Sequence, residues 1–363
     1  MKVYSRTSDA CGIFGLANLK GDLISGETAV VAMESMNPRY NGLGAGFAGY
    51  GIYPKYKDQY ALHALFDNEN SKMKTEEYLN SRVDILKDEP IPTRKVSEIR
   101  HKPILWRYFV NPAVPKNEAS EIKLPDDQIV DLVTHVNSEI EGAYIVSSGK
   151  DMGIFKAVGY PRQVAELFGI DAYKAYMWIA HGRYPTNTPG WWGGAHPFNI
   201  LGWSVVHNGE LSSYDTNRRY VEQWGYKCTL KTDSEVLVYL FDLLARKHGL
   251  PLEAACAAIT PPFWKDIDNL ANDQGQALMK IRITYGAALV NGPFSIIVGV
   301  NQGIKGMIGL TDRVKLRPLV AAVNRDVTYL ASEECAIRAV CPEPEKVWSP
   351  TASTPIIAKV EAA

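Results

Sequence analysis

The stretch AYMWIAHGRYPTNTPGWWGGAHPFNILGWSVVHNGEL, residues 175–211, decides the fold of this chain. It contains two runs typical of buried strands, residues 175–184 and 200–211, separated by a loop rich in Gly, Pro and Trp. The first run ends in the polar segment HGRY and the second in HNGE. The pattern predicts two strands, each of which brings polar side chains to its end.

The predicted elements around this stretch place strands towards both ends of the chain, with helices between them. Residues 10–18 form a predicted buried strand. A helix is predicted at 26–36, because apolar positions recur there at three- and four-residue spacing. Further helices are predicted at 213–224 and 232–248, and several short strands after residue 288. This order is typical of an α+β fold rather than of βαβ repeats.

An inserted α+β lobe is predicted at about 54–172. Within it, AYIVSSGKDMGIFKAV at 143–158 is predicted to form a hairpin, since Ser-Gly-Lys-Asp separates two apolar runs. The lobe carries no motif to which chemistry can be assigned, so its role stays open.

The composition is that of an ordinary globular chain: 363 residues, 46% hydrophobic and 22% charged. Lys and Arg number 39 against 40 Asp and Glu, which gives a net charge of −1. Because there is no overall basic field, neither a nucleic acid nor a membrane surface is expected as a partner. The N-terminus lacks the apolar core of a signal peptide, and no run reaches the roughly 18 apolar residues of a membrane span.

The cysteines argue against a disulfide framework and against a metal site. The five cysteines stand at positions 11, 228, 256, 335 and 341. They form no CxxC pair, and no His lies at zinc-finger spacing from them. No metal is therefore expected in this chain. The odd number and the absence of a signal peptide favour a reduced, cytoplasmic protein.

Four short segments carry groups capable of chemistry, and each lies at the end of a predicted strand or the start of a predicted helix. In chain order they are CGIFG from Cys11, HGRYPTN from His181, HNGE from His207 and TDS from Thr232. Each segment alone is a weak signal, so only their combination supports an assignment.

Taken together in this order, the segments closely resemble the class II glutamine amidotransferases, a family of N-terminal-nucleophile amidohydrolases. Residues 183–222 look most like the amidotransferase domain of glutamate synthase, and DRVKLRPL at 312–319 is similar to a further motif of that domain. The resemblance covers about 11–53 and 174–335. It implies a four-layer αββα sandwich of the N-terminal-nucleophile hydrolase type, with one amidotransferase domain over 11–363 that contains the lobe.

Two positions depart from the glutamate synthase pattern. Pro185 stands where that family usually has Ser, and Lys315 replaces the usual Gly in the DRVKLRPL segment. Neither substitution removes a reacting group.

Cys11 is the nucleophile that the resemblance implies. A thiolate attacks an unactivated amide better than a hydroxyl does at neutral pH. An α-amino group, with a pKa of roughly 7.7–8.0, can take the thiol proton only if Cys11 is the first residue of the mature chain. Residues 1–10 are therefore a candidate propeptide whose removal must come first. The alternative interpretation of Cys11 is a buried apolar side chain.

Arg183 and Asp233 are expected to bind the two charged ends of glutamine. The planar guanidinium of Arg183 suits a bidentate contact with the α-carboxylate, and Asp233 would meet the α-ammonium. Thr186 and His196 match positions that line the glutamine pocket in the family. The alternatives are a surface ion pair for Arg183, a first-turn acid after a capping box at 232–235 for Asp233, and structural roles for the other two.

Asn208 and Gly209 are expected to form an oxyanion hole, with the Asn side-chain amide and the Gly backbone N–H as donors. Loss of one such donor typically costs ~10²–10³ in rate. Asn-Gly is also the leading signal for a hairpin turn. The two interpretations are compatible, because a turn can present both donors.

The resemblance implies a glutaminase subunit, which hydrolyses glutamine through a γ-glutamyl thioester on Cys11 to glutamate and ammonia. The chain has no flavin or nucleotide signature and no Cys cluster, so no cofactor of its own is expected. The ammonia is expected to pass to a separate, flavin-containing synthase subunit in a hetero-oligomer. FMN and an iron–sulfur cluster are the candidate cofactors of that partner.

Three alternatives stay open. The same glutaminase could serve a different acceptor synthase, because the partner sets the acceptor. A non-catalytic, glutamine-binding regulatory subunit would keep its N-terminus and leave Cys11 unactivated. An amidohydrolase of the same superfamily acting on penicillins or bile salts is disfavoured, because Arg183 and Asp233 together select an α-amino acid.

Overall fold

A computed structural model of the protein describes residues 11–113, 123–184, 190–270 and 272–361. Several features named above lie outside these residues: the candidate propeptide at 1–10, Pro185 and Thr186.

Strands form the centre of the molecule, and neighbouring strands run antiparallel throughout the described sheets. In chain order they are β1 Gly12–Asn18, β2 Ile24–Ser25, β3 Ala45–Tyr50, β4 Tyr60–Phe66, β5 Val83–Pro90, β6 Ile104–Pro112, β7 Ala143–Ser147, β8 Met152–Ala157, β9 Lys174–Ala175, β10 Met177–Gly182, β11 Phe198–Ile200, β12 Trp203–Gly209, β13 Phe294–Gln302, β14 Ile304–Thr311, β15 Val320–Asn324, β16 Val327–Ala331, β17 Lys346–Trp348 and β18 Ile356–Lys359.

Short helices surround the sheets. They are α1 Gly26–Glu34, α2 Glu69–Asn80, α3 Pro125–Glu139, α4 Pro161–Phe168, α5 Tyr214–Glu222, α6 Glu235–Phe241, α7 Leu252–Ile259, α8 Trp264–Asp268, α9 Asn272–Thr284 and α10 Glu334–Val340. Over the described ranges, none of them has the length and apolar character needed to cross a membrane.

Two antiparallel sheets stack face to face. One has seven strands in the order β17-β15-β16-β1-β10-β3-β8, and the other has five in the order β11-β12-β13-β14-β18. Alternate side chains of each strand point into the layer between the sheets, since successive residues of a strand face opposite sides. That layer is apolar and fully buried, with members from both sheets such as Ile13, Ile179, Val206, Ile297 and Met307.

Helices cover both outer faces of this pair of sheets. α1, α4 and α10 pack on the seven-stranded sheet, and α6 packs on the five-stranded sheet with α5 beside it. α4 shows why such helices form here: Pro161 opens it, Gly169 closes it in a left-handed conformation with φ of 61°, and Phe168 is buried. The predicted α+β fold with four αββα layers is confirmed.

The residues of the predicted lobe divide between two sheets. Within 60–147, a four-stranded sheet in the order β5-β6-β4-β7 packs against α2 and α3. Residues 152–168, which were predicted to belong to the lobe, instead form β8 and α4 of the sandwich.

The predicted hairpin at 143–158 is wrong. β7 pairs with β4 of the four-stranded sheet, whereas β8 pairs with β3 of the seven-stranded sheet. Between them, the backbone N–H of Ser148 donates to the side-chain carbonyl of Asn199 at 2.8 Å. The chain therefore leaves one sheet and enters the next, because this turn is bonded to a distant segment rather than across a two-stranded ladder.

The capping box predicted at 232–235 is also wrong. α6 begins at Glu235, and the Thr232 hydroxyl accepts from the backbone N–H of Ser234 at 3.2 Å. The Glu235 carboxylate accepts from the N–H of Leu230 at 2.8 Å instead of folding back to Thr232. Asp233 consequently lies in the loop before α6, not in its first turn.

Candidate active site

Cys11 and Arg183 lie side by side because of the register between β1 and β10. Gly12 at the start of β1 pairs with Gly182 at the end of β10, so the residues just beyond them are neighbours. The backbone N–H of Tyr184 donates to Cys11 Sγ at 3.3 Å. The predicted nucleophile and the predicted carboxylate-binding arginine come from separate motifs. They are brought together where β1 begins and β10 ends, at one edge of the seven-stranded sheet.

Burial raises the pKa of the Cys11 thiol above its usual value. The Tyr184 N–H and the guanidiniums of Arg183 and Arg317 oppose that rise, and the Glu210 carboxylate adds to it. A thiol in these surroundings needs a base before it can react as a thiolate.

Asn208 is fully buried on β12 and reaches across to the start of β1. Its Nδ2 donates to the Ser332 hydroxyl at 3.3 Å, and that hydroxyl accepts from the Ile13 backbone N–H at 3.1 Å. Since Nδ2 carries two hydrogens, one stays available after the bond to Ser332. Ser332 therefore links Asn208 of the five-stranded sheet to Ile13 of the seven-stranded sheet, and Ile13 follows Cys11 by two residues in the sequence.

Gly209 occupies a position that only glycine fits. Its φ is 140°, and a Cβ built on it would lie 1.9 Å from the carbonyl oxygen of Pro293. Any side chain here would push the end of β12 away from Pro293, which comes just before β13.

Asp233 is tied to the segment that follows Asn208 and Gly209. Its Oδ2 accepts from the Leu211 backbone N–H at 2.8 Å, and its Oδ1 accepts from the Ser234 hydroxyl at 3.1 Å. The guanidinium of Arg183 feels the Asp233 carboxylate, which raises the Arg183 pKa, although burial lowers it by more. The two predicted ligands of glutamine's charged ends thus belong to one electrostatic cluster.

His196 lies in the interior and stacks on His181, with ring centroids 4.0 Å apart. Neither ring nitrogen of His196 has a hydrogen-bond partner among the described residues. Burial first, and then the nearby His181, hold the pKa of His196 well below its usual value. His196 is therefore neutral, and its predicted place in the glutamine pocket stays a prediction.

Three residues for which no role was predicted also lie near Cys11: Glu210, Arg317 and Ser332. Desolvation, and then the Asp233 carboxylate, raise the pKa of Glu210, while Arg317 and Arg183 oppose the rise. Glu210 and Arg317 lie inside the quoted HNGE and DRVKLRPL segments, so their positions carried a signal. Ser332 lies in no motif, and only the pairing of β16 with β1 brings it to the site.

A metal centre does not form in the part of the chain that the structure describes. None of its His, Cys, Asp and Glu side chains come together in a group of three or more that could hold an ion.

A family model for class II glutamine amidotransferases matches residues 93–349, which is more than half of the chain. The chain belongs to the class II glutamine amidotransferases. It is a glutamine amidotransferase enzyme, so glutamine is its nitrogen donor. The matched range contains Arg183, Asn208, Gly209 and Asp233, whereas Cys11 precedes it.

Relatives extend over nearly the whole chain. An uncharacterized protein of Archaeoglobus fulgidus is 48% identical over 97% of this chain and 93% of that protein. A protein of Methanothermobacter thermautotrophicus, named as a candidate glutamine amidotransferase, is 27% identical over 91% of this chain and 93% of that protein.

Among solved structures, the allosteric regulatory enzyme of purine biosynthesis matches 96% of this amidotransferase and 46% of its own chain, with 14% identity and a TM-score of 0.48. The amidotransferase thus spans about half the length of that protein.

The unusual Lys315 of this amidotransferase has a structural counterpart. Its φ is 56°, a backbone conformation that favours the glycine usual at this position in glutamate synthases. The Lys315 Nζ donates to the Ser349 hydroxyl and to the Pro350 carbonyl oxygen. These bonds offset part of the cost of a side chain in the left-handed region.

Proposed function

We propose that this amidotransferase is a glutaminase subunit that hydrolyses glutamine on Cys11 after removal of residues 1–10, and passes the ammonia to a separate synthase. The observation that carries the proposal is the convergence at one sheet edge: Cys11 Sγ bonded to Tyr184 N–H, beside Arg183. Asn208 is joined to the same strand end through Ser332.

The first half of the reaction forms a thioester. The α-amine released on Cys11 accepts the Sγ proton, and the thiolate attacks the side-chain carbonyl carbon of glutamine. The new C–S bond pushes the carbonyl electron pair onto oxygen, where Asn208 Nδ2 and the Gly209 N–H donate to it. The ammonium of Cys11 returns its proton to the leaving nitrogen, the C–N bond breaks, and ammonia departs.

The second half releases glutamate. The same amine takes a proton from water, and the hydroxide attacks the γ-glutamyl thioester to give a second tetrahedral oxyanion in the same hole. The C–S bond then breaks, the proton returns to sulfur, and the free enzyme is restored.

The raised pKa of the Cys11 thiol explains why maturation is needed in this proposal. An internal Cys11 has only an amide nitrogen, which is not a base, and burial makes the thiolate costly. An N-terminal amine titrates at roughly 7.7–8.0, close to operating pH, so it can accept the proton that burial otherwise holds on sulfur.

Substrate choice follows from two opposite charges. Arg183 would bind the α-carboxylate of glutamine with its guanidinium fork, and Asp233 would bind the α-ammonium. Thr186 and His196 complete the proposed pocket. An amide without an α-amino acid end would leave both charges unpaired, which disfavours the other amidohydrolases of the superfamily.

The partner in this proposal resembles the flavin-containing synthase of glutamate synthase. Ammonia is mostly protonated at neutral pH and is then no nucleophile, so direct transfer within a hetero-oligomer is favoured. The similarity of residues 183–222 and 312–319 to that family supports this partner over other acceptors. Cytoplasmic localisation and a partner with FMN and an iron–sulfur cluster belong to the same proposal.

The deciding experiment is intact mass spectrometry before and after treatment with a diazoketone analogue of glutamine. We expect a chain shortened by residues 1–10 and one adduct, mapped to Cys11. The adduct should be lost in Cys11→Ala and kept in Cys335→Ala, which removes an exposed thiol. A full-length chain that binds glutamine without forming an adduct would instead favour the non-catalytic regulatory subunit.

The acceptor is tested separately by purifying the tagged chain from its native host. A co-purifying flavoprotein that makes glutamate from glutamine only with this subunit is expected. A co-purifying synthase with another amide product would replace the glutamate synthase assignment and leave the glutaminase assignment intact.

A further inference from the structure

Lys156 is a buried lysine that the proposed chemistry does not use. It lies on β8 and only 1% of its surface is exposed. Its Nζ donates to the carbonyl oxygen of Gly193 at 2.9 Å and to that of Pro197 at 3.3 Å. The two carbonyls flank His196, so one side chain bonds the backbone on both sides of that residue.

The segment 193–197 rests on a row of three residues from neighbouring strands. His181, Gly46 and Lys156 stand opposite one another in the register of β10, β3 and β8, and so share one face of the sheet. The His196 ring stacks on His181, while the His196 carbonyl oxygen lies 2.3 Å from where a Cβ on Gly46 would be. Glycine at 46 lets the segment approach, and Lys156 bonds it from the far side.

The same segment contacts the surroundings of Arg183. A Cβ built on Gly44 would lie 3.2 Å from the Ala195 Cβ and 3.3 Å from the Arg183 Cδ. The side chains of Ala195 and Arg183 therefore converge on one point, and a displacement of the segment would be felt at the guanidinium.

The Lys156 ammonium is met by neutral groups: the two carbonyl oxygens and the Phe198 ring, whose centroid lies 4.7 Å from Nζ. Burial lowers the pKa of Lys156 to about 7, although the more distant Glu235 carboxylate opposes this. Without this side chain the carbonyl oxygens of Gly193 and Pro197 would lose their donor, so Lys156 ties the segment to β8.

We propose that Lys156 is a positioning residue of the glutamine site, which holds the segment 193–197 so that His196 and Arg183 meet the substrate in register. This inference rests on the proposed function. Lys156 contacts neither the substrate nor the reacting atoms; its two hydrogen bonds set the place of the groups that do.

The test compares Lys156→Met with Lys150→Met. Both substitutions remove an ammonium from the same part of the chain, but Lys150 lies over the Tyr60 ring at 4.6 Å, whereas Lys156 bonds the segment 193–197. In the mature enzyme we expect Lys156→Met to raise KM for glutamine at least tenfold and to change kcat less than threefold. The variant should stay folded with a lower Tm, because two buried carbonyl oxygens lose their donor, and Lys150→Met should keep the wild-type KM.

Binding is measured independently by calorimetry with glutamine in a Cys11→Ala background, where no turnover occurs. In this background Lys156→Met should raise the Kd for glutamine by the same factor as it raises KM. Lys156→Gln retains one neutral donor, so its Kd should fall between those of the wild type and Lys156→Met. If Lys156→Met does not fold, Lys156→Gln decides, and at least a threefold weaker Kd is then required.

A folded Lys156→Met variant with KM and Kd within twofold of the wild type would overturn the inference and leave Lys156 a purely structural residue. Failure of the proposed function gives a different result. In that case the wild-type enzyme would itself show no glutamine hydrolysis. The calorimetric comparison of glutamine binding with and without Lys156 would still test the positioning role.

Discussion

At the scale of single residues, the Cys11 thiol lies in surroundings that oppose its own ionisation. Burial raises the pKa of the thiol, and the nearby guanidiniums of Arg183 and Arg317 lower it by less than burial raises it. The reactivity that the proposed mechanism needs must therefore come from a base attached to the same residue. This requirement distinguishes Cys11 from Cys335, whose thiol is exposed and donates to the Ser35 carbonyl and the Glu333 carboxylate.

Cys11→Ala should abolish glutaminase activity, because in the proposed mechanism the nucleophile is the Cys11 thiolate. The fold should survive, since alanine fills most of the same space at the start of β1. Ammonia release and far-ultraviolet circular dichroism measure the two effects. Cys335→Ala serves as the control and should keep wild-type activity, whereas hydrolysis retained in Cys11→Ala would remove Cys11 from its proposed role.

Arg183→Lys should raise KM for glutamine by about tenfold or more, because an ammonium cannot reproduce the two parallel hydrogen bonds of a guanidinium. Steady-state kinetics against glutamine measure the change. Arg94→Lys provides the comparison, since Arg94 forms an exposed ion pair with Asp171. Equal KM values for the two variants would move the carboxylate site elsewhere.

At the scale of strands and loops, close approach of backbones determines which residues fit. Gly46 of β3 lies beneath the segment 193–197, where a Cβ would come within 2.3 Å of the His196 carbonyl oxygen and 2.7 Å of the Lys156 Cβ. A rigid carbonyl cannot move aside as a flexible side chain can, so the segment itself would have to shift.

Gly46→Ala is therefore expected to lower Tm by several degrees and to raise KM for glutamine. Differential scanning calorimetry and glutaminase kinetics provide the two measurements. Gly286→Ala is the matched control, because a Cβ there meets no atom within 4 Å. An unchanged KM in Gly46→Ala would mean that the segment can shift without disturbing the site.

The sequence predicted elements better than it predicted their partners. The runs that became β1, β10 and β12 were recognised, because each is apolar and ends in a polar motif. The join between β7 and β8 was misread, since a turn between two apolar runs has the same local pattern whether or not the runs pair. Ser332 was missed for a related reason: its partner Ile13 lies 319 positions away, and no local spacing encodes that contact.

At the scale of the whole molecule, the interior beneath α6 contains an ionisable group that costs stability. Glu235 is 1% exposed, and burial raises its pKa to about 7, against which the N–H groups of Leu230 and Thr229 act. The unfolded chain loses this proton near the ordinary glutamate pKa of 4.5. Stability is therefore lost as the pH rises from about 4.5 to about 7, because over that range the unfolded carboxyl ionises while the native one keeps its proton.

Glu235→Gln should remove this cost. Its carbonyl can accept from Leu230, and its amide can donate to the Tyr239 hydroxyl, which now donates to Glu235 at 2.9 Å. The Tm of the variant relative to the wild type should rise by a few degrees between about pH 4.5 and pH 7 and stay level above that. The exposed Glu343→Gln is the control and should show no such trend; a constant difference in Glu235→Gln would contradict the pH argument.

The start of β1 has one practical consequence. β1 is an interior strand, hydrogen-bonded to β10 on one side and to β16 on the other, so Cys11 is anchored whatever precedes it. Under the proposed maturation, a segment fused ahead of residue 1 would be released together with the candidate propeptide, residues 1–10, while the rest of the fold stays intact. An N-terminal affinity tag would then report on processing by its disappearance from the purified band, and recovery of the processed enzyme requires the tag at the other end.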